Sequence, residues 1–130
     1  MIVVDTNVIA YLWLPGAHTV DAEQLLRAEP EWCVPLLWRS ELRNVLAGTL
    51  RARRIDLADA LEVQAQAERQ LAGREYAVPS AAVLRAALDS GCSAYDCEFV
   101  VLARELGVSL VTTDKKVLAA CPRVARPLGA

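Results

Sequence analysis

Four acidic residues stand where the chain could do chemistry: Asp5, Glu41, Asp96 and Asp114. Asp5 directly follows the β-branched run Ile2-Val3-Val4. Asp114 follows a second run of β-formers, Val108 to Thr112, with Thr113 between. Asp96 falls in the first turn of a helix that Ser93 opens. Glu41 is related to Trp38, Leu42 and Val45 by steps of one, three and four residues, so it sits on or beside an apolar stripe. A carboxylate buried there without a partner costs several kcal/mol. Brought within about 4 Å, each pair of acids repels by about 4 kcal/mol at an effective dielectric of about 20. With ordinary pKa values of about 4 they stay ionised at neutral pH. A divalent cation removes that conflict. A ligand set of oxygens, without His or Cys, suits Mg²⁺ or Mn²⁺ rather than Zn²⁺. Such an ion lowers the pKa of bound water and stabilises a leaving oxygen, so phosphodiester hydrolysis is the natural chemistry.

Each acid also has a plainer reading. Asp5 and Asp114 fit helix N-caps after strands. Ser93-Ala94-Tyr95-Asp96 fits a capping box with Asp in place of Glu. Glu41 could pair with Arg39, Arg43 or a distant arginine. The combination favours a site: two acids at strand ends, one heading a helix and one interrupting an apolar face.

The elements that must position these acids follow from periodicity and punctuation. Ile2–Val4, Trp32–Val34, Glu75–Val78 and Val108–Thr112 are extended, with a last short strand near Val124. Helices are expected up to Trp13, over 19–28, 36–53 and 57–72, from Ser80 to Gly91, over 94–106, and from Asp114 to before Pro122. Short apolar strands alternating with helices predict an α/β fold, a three-layer α/β/α sandwich with a mainly parallel sheet. In such sheets ligands bind beyond the carboxyl ends of the strands. The residues after each strand are therefore the first place to look.

Length and composition narrow the class. The 130 residues amount to one domain, 1–130, with no repeat and no linker. AVILMFWYC residues make up 55% and DEKR residues 23%, too apolar for a disordered chain. No uncharged apolar run approaches the roughly 18 residues of a membrane span. The start, MIVVDTN, lacks a basic region and is broken by Asp5, so it is not a signal peptide. Cys33, Cys92, Cys97 and Cys121 form no CxxC pair, and His18 is the only histidine. The expectation is buried, reduced thiols in a cytoplasmic protein. A net charge of -2 argues against a protein that grips nucleic acid with its whole surface.

Val4-Asp5-Thr6-Asn7, Ser40-Glu41-Leu42-Arg43-Asn44, Ser93-Ala94-Tyr95-Asp96 and Val111-Thr112-Thr113-Asp114 together resemble the PIN domain. The closer resemblance is to the VapC toxins of type II toxin–antitoxin systems, over essentially the whole chain. The resemblance implies a central sheet of about five strands and metal-dependent endoribonuclease activity. Carried onto this sequence, it makes Asp5 and Asp96 the principal Mg²⁺ ligands. Glu41 and Asp114 complete the acidic pocket and hold a second ion or the attacking water. Asn7 orients Asp5, and Thr113 supports ligands or water. The same resemblance implies a homodimer silenced by an antitoxin protein, whose C-terminal segment inserts an arginine or blocks the acidic groove.

RNA needs cations for its backbone. Lys115 and Lys116, adjoining Asp114, are the best candidates. Arg51, Arg53 and Arg54 cluster at the end of the long helix, where favourable charge at a helix C-terminus is slightly the better reading, and Arg123 and Arg126 lie near the C-terminus. Trp13, Trp32, Trp38 and Tyr11 could stack on bases, but their apolar surroundings favour core packing. Glu98 and His18 read as solvated residues, Glu98 with a possible helper role beside Asp96. A phospho-acceptor receiver domain would need an acidic pair at the first strand and an acid after Trp32-Cys33-Val34-Pro35. A D-x-D phosphatase fails at Asp5-Thr6-Asn7. A non-catalytic partner-binding module and a PIN nuclease of RNA processing remain the alternatives.

Overall fold

The three central strands are short runs whose side chains are covered on both faces. In the computed structural model, which describes residues 1–129, β1 (Ile2–Val4), β2 (Trp32–Pro35) and β4 (Leu110–Thr112) are buried at every position. β3 (Glu75–Tyr76) and β5 (Ala125–Pro127) lie at the sheet's edges and are partly exposed. The order is β3-β2-β1-β4-β5, and every pairing is parallel. Val3 lies opposite Cys33 on one side and Leu110 on the other. Burial on both faces is what makes these strands apolar throughout rather than alternating.

Among the described residues there are also seven helices: α1 (Thr6–Trp13), α2 (Thr19–Ala28), α3 (Trp38–Arg51), α4 (Leu57–Gln70), α5 (Ser80–Ser90), α6 (Ala94–Leu106) and α7 (Lys115–Ala120). α1 packs on α2, α3 and α4 in one layer, while α5 and α6 pack together and α6 lies on β1, β2 and β4. The α/β/α sandwich read from the sequence is therefore present. Its core includes the fully buried Trp32, Trp38, Ile2, Ile9 and Leu42. All four cysteines are free and buried. Among the described residues, no helix is long and apolar enough to cross a membrane.

The boundaries differ from expectation by a few residues, each for a local reason. α3 starts at Trp38 rather than 36, because the Leu36 amide bonds the Tyr76 carbonyl and continues the β2–β3 ladder. β4 starts at Leu110 rather than 108, because the Val108 amide turns back to Ala103 and closes the end of α6. That closure needs the left-handed residue Gly107, at φ 67°.

The topology has one consequence for function. From β1 the chain builds outward to β2 and β3, then crosses back to β4 on the other side of β1. The crevice at that reversal, past the carboxyl ends of β1 and β4, is where sheets of this kind bind ligands.

Candidate active site

Asp5 and Asp114 emerge at that reversal. The Asp5 amide bonds the Val111 carbonyl at 3.0 Å, so the end of β1 is tied to β4. Glu41 reaches the same place from the first turn of α3, and Asp96 from the first turn of α6. All four acids line one cleft of about 370 Å³. Thr6, Asn7, Ser40, Asn44 and Tyr95 line it too, with Leu37 and Val45 as its apolar part. No lysine or arginine is among the lining residues.

Two buried threonines hold the acids. Thr112, with none of its surface exposed, donates its hydroxyl to Asp5 Oδ2 at 2.7 Å. The same hydroxyl accepts the Asp114 amide at 3.0 Å. One side chain thus fixes both strand-end acids. Thr6, also buried, donates to Glu41 Oε1 at 2.8 Å and ties α1 to α3. Burial pushes the Asp5 carboxyl up from its ordinary pKa; the Thr112 bond and the Asn7 and Thr6 amides oppose that rise, and the nearby Asp96 adds to it. Burial likewise raises Glu41, against its Thr6 bond and with the charges of Asp5, Asp96 and Glu98. Both groups resist ionisation because they are dehydrated and face like charge, with no cation of the protein to compensate.

The plainer readings divide. Asp114 does cap α7, its Oδ1 accepting the Lys116 and Val117 amides at 2.9 and 3.1 Å. Ser93 caps α6 by accepting the Asp96 amide at 3.0 Å. Asp5 makes no such cap bond to α1, although nearby amides favour its charge. Glu41 has no arginine partner: Arg39 turns the other way, to Glu75 and Glu68.

Other candidates are placed differently from expectation. Thr113 hydrogen-bonds the Tyr11 hydroxyl at 3.2 Å, and it is the neighbouring Thr112 that contacts the acids. Asn7 lines the cleft, and its backbone amide is the part that faces Asp5. Lys115 and Lys116 are exposed at the start of α7, outside the cleft lining. Arg126 is paired with Glu29. Trp32 and Trp38 are wholly buried, as their apolar surroundings suggested, while Trp13 donates to Gln70 and Tyr11 stacks on His18. Glu98 is half-buried rather than solvated; it borders a neighbouring groove with Leu36 and Leu84, and burial raises its pKa. Thr6, Thr112, Ser40, Asn44 and Tyr95 were not singled out from the sequence. The first two carried one signal, a hydroxyl within two residues of a proposed acid at a strand end.

The cleft suits a hard divalent cation. It presents only oxygen and amide donors, and dehydrated carboxylates without a counter-charge. Among the described residues, no group of three or more His, Cys, Asp or Glu side chains is arranged to hold a metal ion. Mg²⁺ asks for less, one or two carboxylates with the remaining positions filled by water or phosphate.

Comparisons with known proteins agree with this architecture. No curated protein sequence matches. The fold is similar to the crystal structure of PAE2754 from Pyrobaculum aerophilum, with a TM-score of 0.75 and 22% identity over 95% of this chain and 81% of that one. It is similar to FitAcB from Neisseria gonorrhoeae, with a TM-score of 0.75 and 16% identity over 96% of both chains. A toxin–antitoxin complex from Klebsiella pneumoniae follows, with a TM-score of 0.68 and 18% identity over 97% of this chain and 96% of that one. The sequence itself matches the PIN domain family over residues 2–123, and the chain belongs to that family.

Proposed function

We propose that the protein is a metal-dependent endoribonuclease and the toxin of a VapBC-type toxin–antitoxin pair. The observation that carries this reading is the cleft itself: four carboxylates at the sheet's reversal point, two of them resisting ionisation, with no basic side chain among them. Arranged this way the acids repel a phosphate unless a cation intervenes. PIN domains are generally nucleases, which gives the cleft its reaction class.

Asp5 and Asp96 would hold Mg²⁺ or Mn²⁺, with Glu41 and Asp114 completing the pocket. When bound, the ion supplies an activated water and neutralises the charge on the phosphodiester. Thr112 fixes the orientation of the Asp5 carboxylate through its 2.7 Å bond. Asp114 has one oxygen committed to the α7 amides and the other available. Glu41, whose proton affinity is raised, is suited to accept a proton from an attacking water. Lys115 and Lys116, exposed at the start of α7, would meet the RNA backbone. The similar fold in a Klebsiella pneumoniae toxin–antitoxin complex supports an antitoxin partner, and the family resemblance supports a homodimer.

The deciding experiment is cleavage of total cellular RNA with the cut sites mapped. Wild type and Asp96→Asn are compared in Mg²⁺, in Mn²⁺ and in EDTA. Discrete cuts that need both metal and Asp96 are expected. Absence of cutting by folded, antitoxin-free wild type in either metal would overturn the reading in favour of a partner-binding module. A small antitoxin reading frame just upstream of the gene separates a toxin from an RNA-processing nuclease.

A further inference from the structure

The cleft has too little positive charge to recognise RNA by its backbone. A metal can neutralise the phosphate being cut, but nothing else in the lining is cationic. Contacts that choose a sequence must therefore come from the neutral part of the wall. That part has a particular character. Tyr95 is 64% exposed, and among the described residues it is the one aromatic that counts as a large exposed apolar side chain. It occupies the second residue of α6, immediately before Asp96. Across the cleft, Ser40 and Asn44 lie four residues apart on α3, hence on one face, and flank Glu41. Both are exposed.

A ring, two hydrogen-bonding side chains and the apolar Leu37 and Val45 are the complement of a nucleobase. Bases stack on an exposed aromatic face and offer donors and acceptors along their edges. An asparagine amide can match such an edge with a donor and an acceptor at once. Nothing in the packing accounts for a large aromatic left in water at the rim of an acidic cleft, whereas Trp32 and Trp38 are fully buried.

We propose that Tyr95, Asn44 and Ser40 form a nucleobase subsite, in which one unpaired base next to the scissile phosphate stacks on the Tyr95 ring while Asn44 and Ser40 hydrogen-bond its edge. This rests on the nuclease reading above and goes further, because it places sequence choice in this part of the cleft. It also requires a single-stranded substrate, since a base paired in a helix cannot enter.

The test uses a short single-stranded RNA spanning a mapped cut, and versions of it lacking one base at each position beside the cut. Tyr95→Ala is expected to lower kcat/KM on the intact RNA by roughly 5- to 150-fold, chiefly through KM, the range seen for loss of one stacked base. Tyr95→Phe is expected to restore it, because the ring and not the hydroxyl makes the stack. On the RNA lacking the recognised base, wild type should fall at least to the level of Tyr95→Ala on the intact RNA, and wild type and Tyr95→Ala should cut it equally well. Asn44→Ala is expected to relax the base preference at that same position. Equal kcat/KM and base preference for wild type and Tyr95→Ala would overturn this subsite while leaving the nuclease reading intact. So would a Tyr95→Ala loss of the same size on every base-deleted RNA, which marks a structural effect. Failure of wild type to cut any RNA in Mg²⁺ or Mn²⁺ would overturn both.

Discussion

Arg39 and Glu41 stand two residues apart on α3 and belong to opposite kinds of acidic neighbourhood. Around Arg39, the guanidinium bonds both Glu75 oxygens at 2.6 and 2.8 Å and Glu68 Oε1 at 2.9 Å. Trp38, fully buried, adds its indole N–H to Glu75 Oε2 at 2.7 Å. Every carboxylate there has a donor, and the arginine bond holds Glu75 below the usual carboxylate range. Around Glu41 there are more acids, Asp5, Asp96 and Asp114, and no arginine among the cleft's lining residues. Its one side-chain partner is Thr6, and burial holds it and Asp5 above the usual range. The first cluster ties α3 and α4 to the edge strand β3. The second is held in place by hydroxyls yet left short of positive charge. Acids are common in both, so their number says nothing about function; whether the protein supplies the counter-charge does.

The largest effect that can break this contrast is at Asp96. Asp96→Asn is expected to reduce RNA cleavage by more than the about 10–100-fold that loss of an outer-shell partner costs a metal site. Its melting temperature should stay near that of wild type, because shape and the Ser93 cap are kept. A cleavage assay and a thermal melt on the same preparation check this. If Asp96→Asn cuts at the wild-type rate, Asp96 is not part of the chemistry.

Thr112→Val comes next. It removes the hydroxyl that orients Asp5 and receives the Asp114 amide, both in a buried place. Activity should drop about 10–100-fold, and stability by about 1–3 kcal/mol for the orphaned groups. Thr113→Val, whose hydroxyl faces Tyr11 instead, should leave cleavage close to wild type. Equal losses at the two threonines would erase the distinction between them.

At the paired cluster, Glu75→Gln should destabilise the fold by about 1–3 kcal/mol by weakening the bonds of Arg39 and buried Trp38. Cleavage per folded molecule should be unchanged. The sign with pH is fixed: a carboxyl held low in the folded state contributes stability above its unfolded value, about 4.3. That contribution is lost as pH falls through the folded value. The gap between wild type and Glu75→Gln should therefore be full near neutrality and close in acid. Melts across the acid range measure it.

The smallest effect has the opposite sign. Glu41 is held high in the folded state, so its protonated form is favoured and stability is lost as pH rises through the raised value. Without metal, Glu41→Gln should melt no lower than wild type near neutrality, and slightly higher if repulsion dominates. Added Mg²⁺ should raise the melting temperature of wild type more than that of the variant. A clear metal-free drop for Glu41→Gln would mean that the residue is structural, as Glu75 is.

Much of this was legible in the sequence, for identifiable reasons. Ile2–Val4 and Leu110–Thr112 are β-branched or apolar at almost every position, and only a strand covered on both faces uses such runs. Gly91 and Gly107 end helices at left-handed residues, so α5 and α6 stop where composition says they must. The acids at the ends of β1 and β4 were visible because a parallel sheet sends its carboxyl-terminal neighbours to one edge. Less legible were partnerships between distant residues. Arg39 is two residues from Glu41, and only the direction each takes from the helix shows that they never meet. Thr112 and Thr113 are adjacent and chemically alike. Thr112, the last residue of β4, points to Asp5, and Thr113, just past the strand's end, points to Tyr11.

By itself, then, the sequence determined the local matters: which segments are strands and helices, where they stop, and which acids follow them. Those depend on backbone propensity and on neighbours three or four residues away. The tertiary structure decided the long-range matters: the strand order that sets β1 beside β4, the burial of Thr112 between Asp5 and Asp114, the withdrawal of Arg39 from Glu41, and the exposure of Tyr95 at the cleft rim. These depend on which surfaces meet when the layers pack, and a charge or a ring acquires its role only once its surroundings have excluded water or left it in place.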